Sequence, residues 1–174
     1  SMLRVANGIL PCYPFLDAEL VRAGVLVHDL SKLTEMVSDR MGNVSEYTTE
    51  GLLLGHLVVG VAQLREAARQ HDIPLDDEYL LLLQHMVLSH HGKAEYGSPR
   101  PPMFPEAELL HQIDVMDARM NEMQSVLART PRGVFSEKIW SLERRVYHPQ
   151  YLRQEEDPAD ESVPFEDEDA VEQA

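Results

Sequence analysis

The residues best suited to chemistry sit inside apolar runs, where they are least expected. "LVHDLSKL" carries His28, Asp29 and Lys32; "GLLLGHLVVG" carries His56; "LLLLQHMVLSHHG" carries His85, His90 and His91; "LLHQIDVMDARM" carries His111, Asp114 and Asp117. Burying an imidazole or a carboxylate is costly without a partner. One histidine on an apolar helix is usually a hydrogen-bonded core residue. Four separate segments that each carry such residues are much harder to explain that way, and a helical bundle can point all of them at one centre. His90 and His91 adjoin at a helix end, where the turning chain lets both rings face one site. Asp114 and Asp117 share a helix face, which makes Asp117 a candidate acceptor for a ligand histidine. His111 precedes Asp114 by one helical turn and reads as a supporting or structural residue rather than a ligand. His85 is off the face of His90 and reads as core. His71 and His148 lie in polar stretches and read as surface residues.

Imidazole and carboxylate together suit Mn, Fe, Zn, Ni or Co better than Ca, which prefers oxygen donors. His28, His56, His90 and His91 with Asp29 and Asp114 exceed what one tetrahedral zinc requires. They suggest two ions bridged by a carboxylate, a pair that generates hydroxide near neutral pH and clamps a phosphoryl group from both sides. Lys32, one turn beyond Asp29, is placed to reach a phosphate oxygen as a point charge. An equally good reading of Lys32 is a cation at a helix C-terminus.

Holding these side chains in place requires helices, and the sequence supplies them. Asp17 caps "AELVRAGVLVHDL", which is apolar on most sides and therefore buried, with His28-Asp29 at its C-terminal end. Thr48 or Thr49 caps a long helix through Gln70, in which Gly51, Gly55 and Gly60 point to close packing. Asp76 or Asp77 starts a helix that stops at Gly92, and Pro105 opens the helix that carries His111, Asp114 and Asp117. A weaker helix is expected over Ser136 to Arg145. "SDRMGNVSEY" and "GKAEYGSPRPPMF" read as loops, and no segment alternates as a strand does. The expected fold is therefore all-α, a bundle of about five or more helices.

The net charge of -15 is largely local: residues 154–174 hold ten acids and no Lys or Arg, and the remainder carries -5. That segment has the composition of a disordered, solvated tail, leaving residues 1–153 as the folded domain. A mildly acidic body argues against a broad basic surface for duplex nucleic acid, though not against a metal-centred cleft that takes phosphates. No apolar run approaches the roughly 18 residues of a membrane span. The N-terminus makes a poor signal peptide. Cys12 is the only cysteine. It rules out an internal disulfide and a cysteine zinc cluster, and it fits a reducing cytoplasm.

"HDLSK", the downstream His56, the "SHHG" element and the "ID" of "LLHQIDVMDARM" resemble the HD-domain metal-dependent phosphohydrolases. The longer stretches "EYTTEGLLLGH", "LSHHGKAEYGSPRPP" and "EAELLHQIDVMDARM" are similar to the HD domain of YhaM-type 3′→5′ exoribonucleases, from about Ser1 to about Tyr151. The resemblance implies an all-helical HD fold and one or two divalent transition metals, typically manganese. It implies His28 and Asp29 as the paired ligands, with Asp29 bridging. His56, His90 and His91 serve the second metal side, Asp114 closes the site, and Lys32 contacts phosphate. It implies hydrolysis of single-stranded RNA or DNA from the 3′ end, the nucleophile being a metal-bound hydroxide. Three features depart from the pattern. The superfamily has another metal-ligating histidine on the preceding helix, and no His precedes His28, so the sequence is either cut within that helix or has lost a ligand. The N-terminal OB-type nucleic-acid-binding domain of these proteins is not in the sequence given, so it is either truncated or lost. Ser31 stands where "HDLGK" has glycine, which matters if that glycine needs positive φ. Two other functions fit the same residues: an HD phosphohydrolase for a nucleotide or cyclic dinucleotide, and a catalytically weak HD module for nucleotide sensing or assembly. A homo-oligomer is compatible with either.

Overall fold

The structure is a computed structural model and describes residues 1–38 and 44–150. The acidic segment 154–174 lies outside these residues. The elements run α1 (Met2–Ile9), a 3₁₀ turn (Leu10–Cys12), α2 (Ala18–Val27), α3 (Lys32–Glu35), β1 (Met36–Ser38), β2 (Val44–Tyr47), α4 (Thr49–Gln70), α5 (Glu78–Ser89), a second 3₁₀ turn (Ala94–Tyr96) and α6 (Pro105–Leu127). The described residues are mostly helical, with five helices of eight residues or more, as expected of an all-α domain. The described residues divide into two compact units, Ser1–Met123 and 124–150.

In the first unit the helix starts are set by side chains that satisfy the free N–H groups of a first turn. The Asp17 carboxylate accepts from the N–H of Glu19 and of Leu20, both at 3.0 Å. Its other oxygen accepts from the Tyr79 hydroxyl at 2.8 Å, and its own N–H donates to Glu106 at 2.8 Å, so one residue ties α2 to α5 and to α6. Thr48 caps α4 by accepting from Gly51 N–H, and Asp77 caps α5 by accepting from Leu80 N–H. The core is formed by Ala6 and Leu10, by Leu20, Val21 and Val25 of α2, by Met86 of α5, and by Ala107, Leu110 and Ile113 of α6. The polar cluster described below sits where α2 and α5 end beside this core.

Four sequence expectations are corrected. First, α2 ends at Val27, and His28 is its C-terminal cap rather than part of a helix continuing through Leu30. Second, "SDRMGNVSEY" is not only loop: β1 and β2 pair antiparallel, with Met36 opposite Tyr47 and Val37 opposite Glu46. Strands this short give no period-2 pattern to read. Third, Ser136 to Arg145 is not helical. In the second unit Phe135 bridges Tyr147 and Ile139 bridges Arg144, both antiparallel, and a turn links Trp140 to Glu143. Fourth, His148 is half-buried there, its Nδ1 donating to Thr130 C=O at 2.6 Å, so it is not a surface residue.

Candidate metal centre

Four elements deliver the cluster. The end of α2 delivers His28 and Asp29, α4 delivers His56, the end of α5 delivers His90 and His91, and α6 delivers Asp114. One donor atom from each of His56, His90 and His91 lies within 4.8 Å of the others, and so does one from each of His28, His90 and Asp114. His90, fully buried, belongs to both sets. Asp29 lies between them. Its Oδ1 is 3.5 Å from Nε2 of His56 and from Nε2 of His90, and its Oδ2 is 3.4 Å from Nε2 of His28. The Asp114 carboxylate is 3.9 Å from His28 Nε2.

The hydrogen bonds on the far side of each ring fix what points inward. His28 Nδ1 donates to Val25 C=O at 3.0 Å, His90 Nδ1 to Val87 C=O at 2.8 Å, and His91 Nδ1 to Tyr96 C=O at 2.7 Å. A carbonyl only accepts, so each Nδ1 carries the hydrogen, and the neutral ring presents a lone pair at Nε2. His56 follows the same logic through a carboxylate, its Nδ1 lying 3.1 Å from Glu35 Oε2. His56 Nε2 and His91 Nε2 face each other at 3.3 Å, two acceptors with no hydrogen between them. Asp29 Oδ1 and His90 Nε2 are buried and have no hydrogen-bond partner. Buried acceptors are rarely left without one. Converging lone pairs and an unpaired carboxylate oxygen fit a cation, and the mixed nitrogen and oxygen donors fit a transition ion.

Local backbone features make this geometry attainable. Gly55 sits inside α4 at φ 70°, ψ 160°, a conformation essentially reserved for glycine. The kink turns His56 N–H toward Glu35 Oε1, which accepts it at 3.2 Å. Glu35 is buried, and the sequence reading did not identify it. Gly51 allows α4 to approach: a Cβ there would lie 2.4 Å from the Glu35 carbonyl oxygen. Ser31 adopts φ -70°, ψ -11°, so a side chain costs no backbone strain, and its hydroxyl donates to His56 C=O at 2.6 Å. Gly60 leaves room for that hydroxyl, since a Cβ there would lie 3.0 Å from Ser31 Oγ. His111 Nδ1 donates to the carbonyl of His90 at 2.6 Å, across the turn that Gly92 makes at φ +80°.

Two residues lie apart from the cluster. The Asp117 carboxylate accepts from Ser1 Oγ at 2.8 Å and from Asn121 at 3.1 Å rather than from a ligand histidine. His85 is half-buried, accepts from Met103 N–H at 3.1 Å and packs on Phe104. Lys32 Nζ donates to Asp29 Oδ2 at 2.8 Å. Charge follows the geometry. Burial opposes ionisation of Asp29, but the His28, His90 and Lys32 contacts outweigh it and hold the carboxyl well below the usual range. Burial lowers His56 and His91. Burial also pulls His28 down, but its bond to Asp29 and the charge of Asp29 raise it on balance.

No helix among the described residues is long and apolar enough to cross a membrane. The chain is 48% identical over 149 residues, 85% of its length, to a protein named 3′-5′ exoribonuclease YhaM from Bacillus subtilis (strain 168). Over 149 residues it is 46% identical to the protein of that name from Bacillus pumilus (strain SAFR-032). It spans 46% of the length of each of these curated relatives. No solved structure matches it. The family model for the HD domain matches residues 2–119, the stretch that contains all six of the converging histidines and aspartates. The chain belongs to the HD domain family.

Proposed function

We propose that this domain, taken as residues 1–153, is the hydrolytic part of a metal-dependent 3′→5′ exoribonuclease of the YhaM type. It would release 5′-nucleotides from single-stranded RNA or DNA and work in the reducing cytoplasm. The observation that carries the reading is the gathering of four imidazole Nε2 atoms around Asp29, whose unpaired Oδ1 lies 3.5 Å from those of His56 and His90. In this reading His56, His90 and His91 would hold one divalent ion, and His28 and Asp114 would face a second. Asp29 presents one oxygen to the His56–His90 side and the other to His28, as a bridging carboxylate would. Manganese suits the donors. Ions bound there would supply Lewis acidity toward phosphoryl oxygens and make bound water more acidic.

The protein's own residues do the rest. Glu35 and the carbonyls of Val25, Val87 and Tyr96 keep the four Nδ1 atoms protonated and the rings oriented. His111 holds the His90–His91 turn. Lys32 stands at Asp29 with a charge for a phosphate oxygen.

The test is turnover of single-stranded RNA with Mn²⁺ by the purified chain and by Asp29→Ala. The expected result is mononucleotide release from the 3′ end, slower in the variant by about a hundredfold or more. Equal rates would overturn the reading. A nucleotide or cyclic dinucleotide cleaved in preference to RNA would move the substrate assignment to the small phosphoesters.

A further inference from the structure

A cavity of about 350 Å³ opens beside the donor set, and His56 and His91 line it. Its size is that of a small-ligand cleft. The rest of its wall is largely apolar, with Leu54, Leu57, Val58 and Pro99 alongside the ring-bearing Tyr96. Tyr96 is 63% exposed, Leu54 51% and Val58 49%, so a large apolar surface is left open next to buried polar donors.

The backbone of Tyr96 is held in a turn. Its carbonyl accepts from His91 Nδ1 at 2.7 Å, and its N–H donates to Lys93 C=O at 3.0 Å. Gly97 follows at φ +99° and closes the turn through its own N–H to Ala94 C=O at 2.9 Å. The carboxylate and the two imidazoles in the wall are already engaged. Glu35 holds His56, and the inward nitrogens of His56 and His91 face the donor centre. The wall brings one aromatic and several aliphatic residues beside a centre suited to a phosphate.

We propose that this cavity is the subsite for the nucleobase adjoining the phosphate held at the donor centre, with Tyr96 as the stacking residue. This rests on the phosphodiesterase reading above. A planar base takes the apolar space while its phosphate faces the donors. With the Glu35 carboxylate and both imidazoles of the wall committed, the subsite recognises the plane of the base rather than its edges and accepts purines and pyrimidines alike. Stacking on an aromatic ring is sequence-tolerant and strong enough to set affinity.

The experiment has two arms, both with the Mn²⁺-loaded chain as wild type, Tyr96→Ala and Tyr96→Phe. In the first, KM and kcat are measured on single-stranded RNA ending in a normal 3′ nucleotide and on the same strand ending in an abasic one. Tyr96→Ala should raise KM for the normal strand about tenfold, leave the abasic strand unaffected, and be rescued by Tyr96→Phe. Equal loss on both strands, or no change in KM, overturns the subsite. In the second arm, binding of AMP is compared with binding of ribose 5-phosphate. Wild type and Tyr96→Phe should prefer AMP about tenfold, and Tyr96→Ala should not. Absence of that preference in wild type overturns the subsite. A chain that prefers AMP through Tyr96 yet cleaves no RNA keeps the subsite and sinks the exoribonuclease reading instead.

Discussion

Each histidine of the cluster is defined by what its outer nitrogen does, and that makes Glu35 a residue with a testable role. Its carboxylate holds both the backbone N–H and Nδ1 of His56. Glu35→Ala should weaken Mn²⁺ binding by about 10- to 100-fold, the usual effect of removing a partner behind a ligand, and Glu35→Gln should recover part of it. Calorimetric titration of Mn²⁺ checks this, and unchanged affinity in Glu35→Ala would show that His56 needs no support. Proton competition gives a second prediction at this scale. A ring binds metal only when Nε2 is free of a proton. Burial lowers His56 and His91, so both are ready ligands at neutral pH, whereas Asp29 raises His28 against the pull of burial. The His28 proton is therefore the one that competes first as pH falls. Mn²⁺ affinity should be highest near pH 8 and fall steadily toward about pH 6, through the ordinary histidine range. Affinity that stays flat over this interval would argue against histidine ligation. The histidines and aspartates were legible in the sequence because their types conflict with apolar surroundings. Glu35 was not: "SKLTEM" looks like a solvated stretch, and only the fold buries it. The carbonyls of Val25, Val87 and Tyr96 have no sequence signature at all. Asp117 shares a helix with Asp114, but its carboxylate finds Ser1 and Asn121 instead.

At the scale of elements, the cluster depends on where helices end and bend. α2 stops one residue before His28, α5 stops one residue before His90, and α4 breaks at Gly55 one residue before His56. Side chains at helix ends escape the fixed directions of a helix face and can converge. Gly92 tests this dependence. It holds φ +80°, and an added Cβ would lie 2.4 Å from His111 Cε1. Gly92→Ala should cost about 2–4 kcal/mol of stability, combining backbone strain with a clash, and should also weaken Mn²⁺ binding by displacing the His90–His91 turn. Gly8 in α1 is the contrast, since nothing lies within 4 Å of a Cβ built there. Gly8→Ala should be neutral or stabilise by about 0.5 kcal/mol and leave metal binding unchanged. Chemical denaturation reads both, and equal costs in the two variants would refute the argument. The cap residues Asp17, Thr48 and Asp77 and the helix-opening Pro105 were legible, and with them four of the five long helices; α1 was not, because "MLRVANGI" is too short and carries no capping side chain. The Gly55 kink was not, because glycine alone does not say whether it serves close packing or a positive φ. The β1–β2 pair and the antiparallel bridges from Phe135 to Tyr147 escaped because three- and four-residue segments carry no period.

At the scale of the molecule, the fold brings together groups that have little to gain from one another without a cation. Nε2 of His56 and of His91 stand 3.3 Å apart as paired acceptors, and Asp29 Oδ1 and His90 Nε2 are buried without a hydrogen-bond partner. In the unfolded chain the same groups are separate and hydrated. A metal that binds only the folded arrangement must therefore stabilise it in proportion to its affinity. Mn²⁺ at about a hundred times its dissociation constant should add about 2.7 kcal/mol. For a folded unit of this size that corresponds to a rise in Tm of roughly 5–15 °C. Chelator should reverse the rise. Co²⁺ and Zn²⁺ should also stabilise, whereas Mg²⁺, which favours oxygen donors and retains its waters, should do little at equal concentration. Asp29→Ala and His90→Ala should abolish the response, since the first removes the carboxylate facing both donor sets and the second the imidazole common to them. Thermal melts of the three proteins with each ion decide the matter. An identical Mn²⁺ shift in wild type and His90→Ala would mean that the ion binds elsewhere, and no shift with any ion would mean that the convergence of these four histidines is not a metal site.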